Sequence, residues 1–321
     1  MTEPTHVAPA RPGWPGRFSR WFVYLHTGWR GKALTAGFAL LTLAAIALLI
    51  RSTWAMFTAY TWHFRPKWLL FAILAFDLVL LLSALAWHLL MRRLGGHLHL
   101  RTNLKYWAYA NLAKRLPTPV WYIGSRAVMY EAQGVSKTTT SLVSGLELGL
   151  ILVSGLVLFL LTLPFWAFSA ELADQLAQSW LLLVLIPLCA LLLHPRLLTF
   201  VWRKLSPTAV ADRLRWRDTL AWVALYLLIW GLGAFGLYCT LNIFQPIALT
   251  ALPALLGMWA IANTVSLAGS LTLANIGLRE ISLTLLLTPL ASSPAALLTA
   301  IAVRLIWLVG EFLGAMLSLI L

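Results

Sequence analysis

Long apolar runs separated by short polar breaks organise most of this chain. The runs Ala33–Ile50, Trp68–Met91, Ser141–Phe165, Trp180–Phe200, Leu220–Cys239 and Ala295–Leu321 each approach the roughly 20 apolar residues that cross a bilayer core. Two further stretches break the pattern. Residues 96–137 carry Asn103, Lys105, Asn111, Lys114, Arg115, Pro117, Pro119 and Arg126, too many polar groups for an ordinary lipid-facing span. Residues 249–290 are more apolar but are interrupted by Pro253, Gly269, Ser270, Asn275, Gly277, Arg279 and Glu280. The pattern predicts an all-α polytopic membrane protein of about eight hydrophobic helical segments, two of them broken.

The two broken stretches are written alike. Trp107-Ala108-Tyr109-Ala110-Asn111 returns as Trp259-Ala260-Ile261-Ala262-Asn263, and Ile123-Gly124-Ser125-Arg126 returns as Ile276-Gly277-Leu278-Arg279. The offset is 152 at the Trp and 153 at the Gly-x-Arg. Shifted by 152, the spans 33–50, 68–91 and 141–165 land on 185–202, 220–243 and 293–317, each on another apolar run. The repeating unit is therefore two spans, a broken segment and one span. If each broken segment leaves by the face it entered, a unit crosses three times, and the second unit lies upside down relative to the first. The expectation is two inverted-topology repeats, 33–166 with a re-entrant hairpin at 96–137 and 177–321 with one at 249–290, the arrangement of many transporters. The rival, in which each broken segment crosses fully, stays open on the sequence.

Composition adds the solvent and the orientation. Hydrophobic residues are 61% of the chain and charged residues 11%, against about 25% charged in soluble domains. The net charge of +14 sits in clusters between apolar runs, which points to membrane loops and anionic lipid rather than nucleic acid. Residues 1–32 are polar, Pro-rich and basic, and are expected to be a cytoplasmic tail and interfacial segment with no cleavable signal. Stretches 92–126 and 196–217 are basic, whereas 170–175 holds Glu171 and Asp174 and no basic residue. The positive-inside rule then places both termini in the cytoplasm, with Arg51, Arg65 and Lys67 dissenting. Cys189 and Cys239 sit in apolar runs and read as buried small hydrophobes.

Candidate chemistry follows from what a bilayer forbids. Irregular backbone survives there only where protein or a water-filled cavity supplies partners. The hairpin tips, marked by Pro117, Gly124, Gly269 and Gly277, are expected to lie toward the middle of the protein as gates. Asn111 and Asn263 are expected to face a partner helix or the cavity, as interhelical glue or as ligand contacts. Intramembrane charges are costly and usually functional; the set here is Asp77, Arg126, Glu131, Glu147, Arg279, Glu280, Arg304 and Glu311. Glu147 and Arg304 fall at matching depths in the third and last spans, which predicts an ion pair between them. Arginines at helix starts beside free backbone N–H groups suit phosphate. The substrate-binding candidates are thus Arg126, Arg279, Glu280, Arg304, Glu147, Asn111 and Asn263.

These residues resemble the lysylphosphatidylglycerol synthase transmembrane-region family, also called flippase-like integral membrane proteins. In the first half the resemblance rests on Asn111, Leu116-Pro117, Gly124, Arg126, Gly134-Val135-Ser136 and Glu147. In the second it rests on Ile276-Gly277-Leu278-Arg279-Glu280 and Arg304. It covers roughly 33–321. The tips depart from the family pattern, with Pro119-Val120-Trp121-Tyr122-Ile123 where a Gly-rich run is common. Larger members carry a soluble aminoacyl-transfer domain; nothing in this sequence could serve as one, so lipid aminoacylation is not implied. The resemblance implies movement of a lipid or lipid-linked sugar between leaflets.

The leading expectation is a flippase-like transporter of the bacterial inner membrane that moves a phosphate-bearing lipid by alternating access. It would need no cofactor or metal, and would partner with membrane lipid and with envelope-lipid biosynthesis proteins. The alternatives are a non-transporting accessory subunit of such a pathway and a membrane-embedded lipid-modifying enzyme. Against the enzyme, the histidines are scattered, no carboxylate cluster reads as a metal site, and the Gly-x-x-x-x-Gly-Lys phosphate loop is absent.

Overall fold

A computed structural model describes residues 64–95, 98–113, 119–166, 194–205, 214–270 and 278–320, with the single positions 51, 58 and 191. The tail 1–32, the expected span 33–50, most of 180–200, and the tip residues Pro117 and Gly277 lie outside the described residues. All regular structure within them is helical. The α-helices are α1 (Pro66–Leu94), α2 (Leu100–Ala113), α3 (Pro119–Glu131), α4 (Lys137–Thr162), α5 (Pro195–Leu205), α6 (Trp216–Phe244), α7 (Leu252–Ser270), α8 (Leu278–Leu287) and α9 (Ser293–Ile320). Among the described residues, Pro66–Leu94, Lys137–Phe165, Trp216–Phe244, Leu249–Leu267 and Ser293–Ser318 are long and apolar enough to cross a membrane.

Local chemistry sets the helix ends. Pro66 opens α1, where its missing N–H would have had no partner. Gly95, at φ 114°, closes it in the left-handed conformation and donates its N–H to Met91 O, as a helix C-terminus requires. Ser136 caps α4 by accepting from the Thr139 N–H at 3.1 Å, directly after the left-handed Gly134. Asp218 holds the start of α6 by accepting from the Arg215 N–H at 2.9 Å. Where the expected span Trp180–Phe200 should still run, a separate helix starts instead: His194 is non-helical, α5 begins at Pro195, and His194 Nδ1 accepts the Arg196 N–H at 3.0 Å. His194-Pro195-Arg196 interrupts the apolar run at this point, and proline is favoured at a first helical position.

Helices α1 and α6 are the central antiparallel pair. At one end Arg93 and Asp218 form a 2.7 Å ion pair; at the other the Arg65 N–H donates to Ile243 O at 3.1 Å. Helix α4 runs against α7 and α9 against α2. Likewise α3 packs on α4 and α8 on α9, and both α4 and α9 reach α1 and α6. Each of these helix packings has its counterpart under a shift of about 152 residues. Buried residues form two clusters, one around Trp87, Tyr130 and Tyr226, the other around Phe76, Trp230, Trp259 and Val303.

Lipid tails are as apolar as leucine, so helix association in a membrane depends on close packing. Glycines supply it here. A Cβ on Gly155 would stand 2.7 Å from Thr264 Oγ1 and 2.8 Å from the Trp230 ring, and one on Gly236 would stand 2.8 Å from Phe76. Gly257 is filled by Thr162 and Trp166, and Gly233 by the Trp259 indole. The outward faces stay greasy: Leu70, Leu74, Leu78 and Leu81 on α1 and Leu305, Leu308, Phe312 and Met316 on α9 are exposed, at helical spacing.

Candidate functional site

Helix α3 projects Tyr122, Arg126 and Tyr130 at intervals of four, so they share one face, and all three are buried. The face meets Glu147 of α4 and Trp87 of α1. Arg126 Nη1 donates to Glu147 Oε2 at 2.5 Å, and the Tyr122 hydroxyl donates to the same oxygen at 2.7 Å. The guanidinium is held between two rings, with its carbon 3.7 Å from the Trp87 ring centroid and 4.0 Å from that of Tyr122. Both faces of the cation are thus met by π-density and one edge by a carboxylate, which is how a fully buried arginine is made tolerable. Arg126 is 0% exposed and Glu147 2%.

A polar chain continues outward from this cage. Trp87 Nε1 donates to the Tyr130 hydroxyl at 2.8 Å, and that hydroxyl donates to Asn103 Oδ1. Asn103 Nδ2 meets His88 Nδ1 at 2.7 Å and Leu98 O at 3.2 Å. The cage itself is not saturated. Among the described residues Arg126 Nε and Nη2 and the Tyr226 hydroxyl are buried with no hydrogen-bond partner, although buried polar atoms nearly always find one. Asn111 Oδ1 and Trp107 Nε1 are also buried without a partner among the described residues.

The second half builds a looser counterpart. Arg279, 153 positions after Arg126, again lies against two rings, at 4.9 Å from the Trp259 centroid and 5.3 Å from that of Trp307. Phe76 closes the aromatic group, 5.6 Å from each of these rings. Arg304 Nη1 and Glu280 Oε1 pair at 3.0 Å, and Trp307 Nε1 donates to Glu311 Oε1 at 2.8 Å. The Arg304 side chain is 36% exposed where that of Arg126 is 0%, so only the second-half pair is accessible.

The structure corrects the expected Glu147–Arg304 pair. Glu147 takes Arg126 and Arg304 takes Glu280: each arginine pairs within its own half, between a broken-segment helix and the span that follows it. The offset arithmetic matched depth along the spans and carried no information on which face each charge occupies. Gly124 lies inside α3 rather than at a tip. Helix α7 continues through Gly269 to Ser270. Asn263 bonds back to its own helix, Nδ2 to Trp259 O at 2.8 Å. Asp77, named for its charge, lies exposed on α1 with Oδ1 against Gly310 of α9. Sequence reasoning missed Trp87, Tyr122, Tyr130 and Trp307. The Tyr-x-x-x-Arg-x-x-x-Tyr spacing at 122, 126 and 130 was the available signal for two of them.

Among the described residues no three of His, Cys, Asp and Glu gather as a metal site. Helical spans packed through glycines and holding charged side chains between them define an all-α polytopic membrane protein. Residues 33–313 match the family of the lysylphosphatidylglycerol synthase TM region, and the chain belongs to that family. Among curated proteins, none matches the chain. The family fits lipid movement in general terms.

Proposed function

We propose that this protein moves a phosphate-bearing lipid, free or sugar-linked, between the leaflets of a bacterial inner membrane by alternating access. One observation carries the reading: a fully buried arginine on a broken-segment helix, held by aromatic faces, with Nε and Nη2 unspent. Guanidinium is the side chain whose fork matches phosphate, and the phosphates a bilayer offers are lipid head groups. Arg126, Arg279 and Arg304 bind the head group in turn; Glu147 and Glu280 are their partners when the site is empty.

The gates are the two broken segments, each a re-entrant hairpin, one from either side. Several contacts support this. Helix α2 starts six residues after α1 ends, at the Arg93–Asp218 end of the central pair. Helix α4 runs antiparallel to α7, with Thr162 beside Gly257 and Gly155 beside Thr264, so α4 also starts at that end. At the opposite end, Gln245 after α6 accepts from Ser292 just before α9, at 2.9 Å. Segments α2–α3 and α7–α8 therefore each return to the side they left. The odd crossing number per repeat then inverts the second half.

Two tests follow. In a background free of native cysteine, Gln133→Cys and Thr288→Cys, both at exposed positions, are expected to label with impermeant maleimide from opposite faces of sealed vesicles. Labelling from one face contradicts opposed hairpins. In reconstituted vesicles, Arg279→Ala or Arg304→Ala is expected to reduce leaflet transfer of a phosphatidylglycerol analogue to the protein-free rate while the detergent-solubilised protein stays monodisperse. Unchanged transfer removes these residues from the site.

A further inference from the structure

We infer that Glu147 is a proton-linked counter-ion, so that each phosphate lipid enters the Arg126 cage together with one proton. The inference rests on the reading of that cage as the head-group site and adds what pays for the charge.

The cage residues alone are neutral. Arg126 and Glu147 are one cation and one anion in contact at 2.5 Å, both buried. A lipid phosphodiester adds one negative charge. If Glu147 stayed ionised, two anions would face one guanidinium deep in the protein, where an uncompensated charge is expensive. The neighbours do not relieve this. Helix α3 offers Tyr122, Arg126 and Tyr130; α6 offers Tyr226; α9 offers Glu311, close enough to act on Tyr122. Helix α1 presents Trp87, with His88 turned to Asn103, and α7 has no titratable side chain. Arg126 is the sole cation of this set, and Glu311 adds a further carboxylate. Neutrality on loading is recovered by protonating Glu147.

The geometry allows the exchange. Glu147 Oε2 holds both the Arg126 Nη1 hydrogen and the Tyr122 hydroxyl. Once the phosphate takes the guanidinium edge, the freed carboxyl oxygen can carry the proton and still receive Tyr122. The balance is Arg126⁺·Glu147⁻ plus lipid phosphate⁻ plus H⁺ giving Arg126⁺·phosphate⁻ plus neutral Glu147; no redox partner is needed. Nη2, which has no hydrogen-bond partner among the described residues, supplies beside Nη1 the second prong of an end-on bidentate grip. A loaded, neutral cage crosses at low cost and an empty, neutral cage returns, so lipid and proton move in the same direction.

The test is titration calorimetry of the full chain in detergent with dihexanoyl phosphatidylglycerol, in two buffers of different ionisation enthalpy. A phosphodiester is chosen because a monoester's second ionisation near pH 6 would add protons of its own. The wild type is expected to take up close to one proton per lipid. Wherever one proton is taken up per lipid bound, its affinity is expected to rise by about tenfold for each unit the pH falls. Glu147→Gln, which keeps an acceptor oxygen, is expected to bind with no proton uptake and no pH dependence. Wild-type binding without proton uptake overturns the proton link and leaves the head-group site standing. Uptake that persists in Glu147→Gln overturns the assignment to Glu147. Absence of wild-type binding overturns the head-group reading and the proton link together. The wild-type proton count decides the proton link even if the variant does not fold.

Discussion

Replacing Arg126 by alanine is expected to destabilise the protein by on the order of 3–5 kcal/mol and to abolish lipid transfer. Truncation leaves Glu147, 2% exposed, as an uncompensated buried anion, and breaking a buried pair from one side costs about that much. It also empties the slot between Trp87 and Tyr122, which now flank the guanidinium at 3.7 and 4.0 Å. The double variant Arg126→Met with Glu147→Leu should recover most of the lost stability, because apolar replacement of a whole buried pair is often neutral or better, yet transfer should stay at background. Thermal unfolding in detergent and vesicle transfer read the two effects separately. If the double variant transfers lipid, the pair is scaffolding and not a site.

A single methyl on α6 should be felt nearly as strongly. Gly233→Ala places its Cβ inside the Trp259 indole, 2.8 Å from Cε2 and closer still to Nε1. Trp259 is 2% exposed, wedged against Phe76 and Trp307, and is one of the two rings under Arg279. It has no room to retreat, so overpacking should cost about 1–3 kcal/mol and move Arg279 with it. The matched control is Gly149→Ala on α4, where a Cβ meets nothing within 4 Å. There the better helix propensity of alanine should stabilise by roughly 0.5–1 kcal/mol. Unfolding midpoints of the two variants should shift in opposite directions; equal shifts would mean that the α6–α7 contact is looser than described.

The long spans were legible in the sequence because lipid imposes a simple rule. Wherever some 20 apolar residues ran together, a helix was expected, and α1, α4, α6 and α9 end within a few residues of those runs. The family was legible from Asn111, Gly124, Arg126, Glu147, Arg279, Glu280 and Arg304 in their order, and residues 33–313 match it. The break at His194 was passed over, since hydropathy averaged over some 20 residues smooths out the three residues His194-Pro195-Arg196 that mark it. The partner of Glu147 was not legible either. Pairing depends on the rotation of α3 and α4 about their axes, and the repeat offset gives only depth. The aromatic faces at Trp87 and Tyr122 were lost among 17 tryptophans and eight tyrosines, where composition hides which ring meets a cation.

The two arginine sites share a plan and differ in access. Arg126 is sealed between rings and a carboxylate, while the Arg304–Glu280 pair stands partly open. In the proposed carrier these two sites would be opened in turn, by the hairpins proposed as its gates. The central claim is that the protein itself carries phosphate lipid across the bilayer. Its most direct test is the rate at which a fluorescent phosphatidylglycerol moves between leaflets of vesicles containing only the purified protein. The account predicts acceleration over protein-free vesicles that is lost with Arg126→Ala. A wild-type rate equal to that of empty vesicles, across phosphatidylglycerol and polyprenyl-phosphate probes alike, would contradict it.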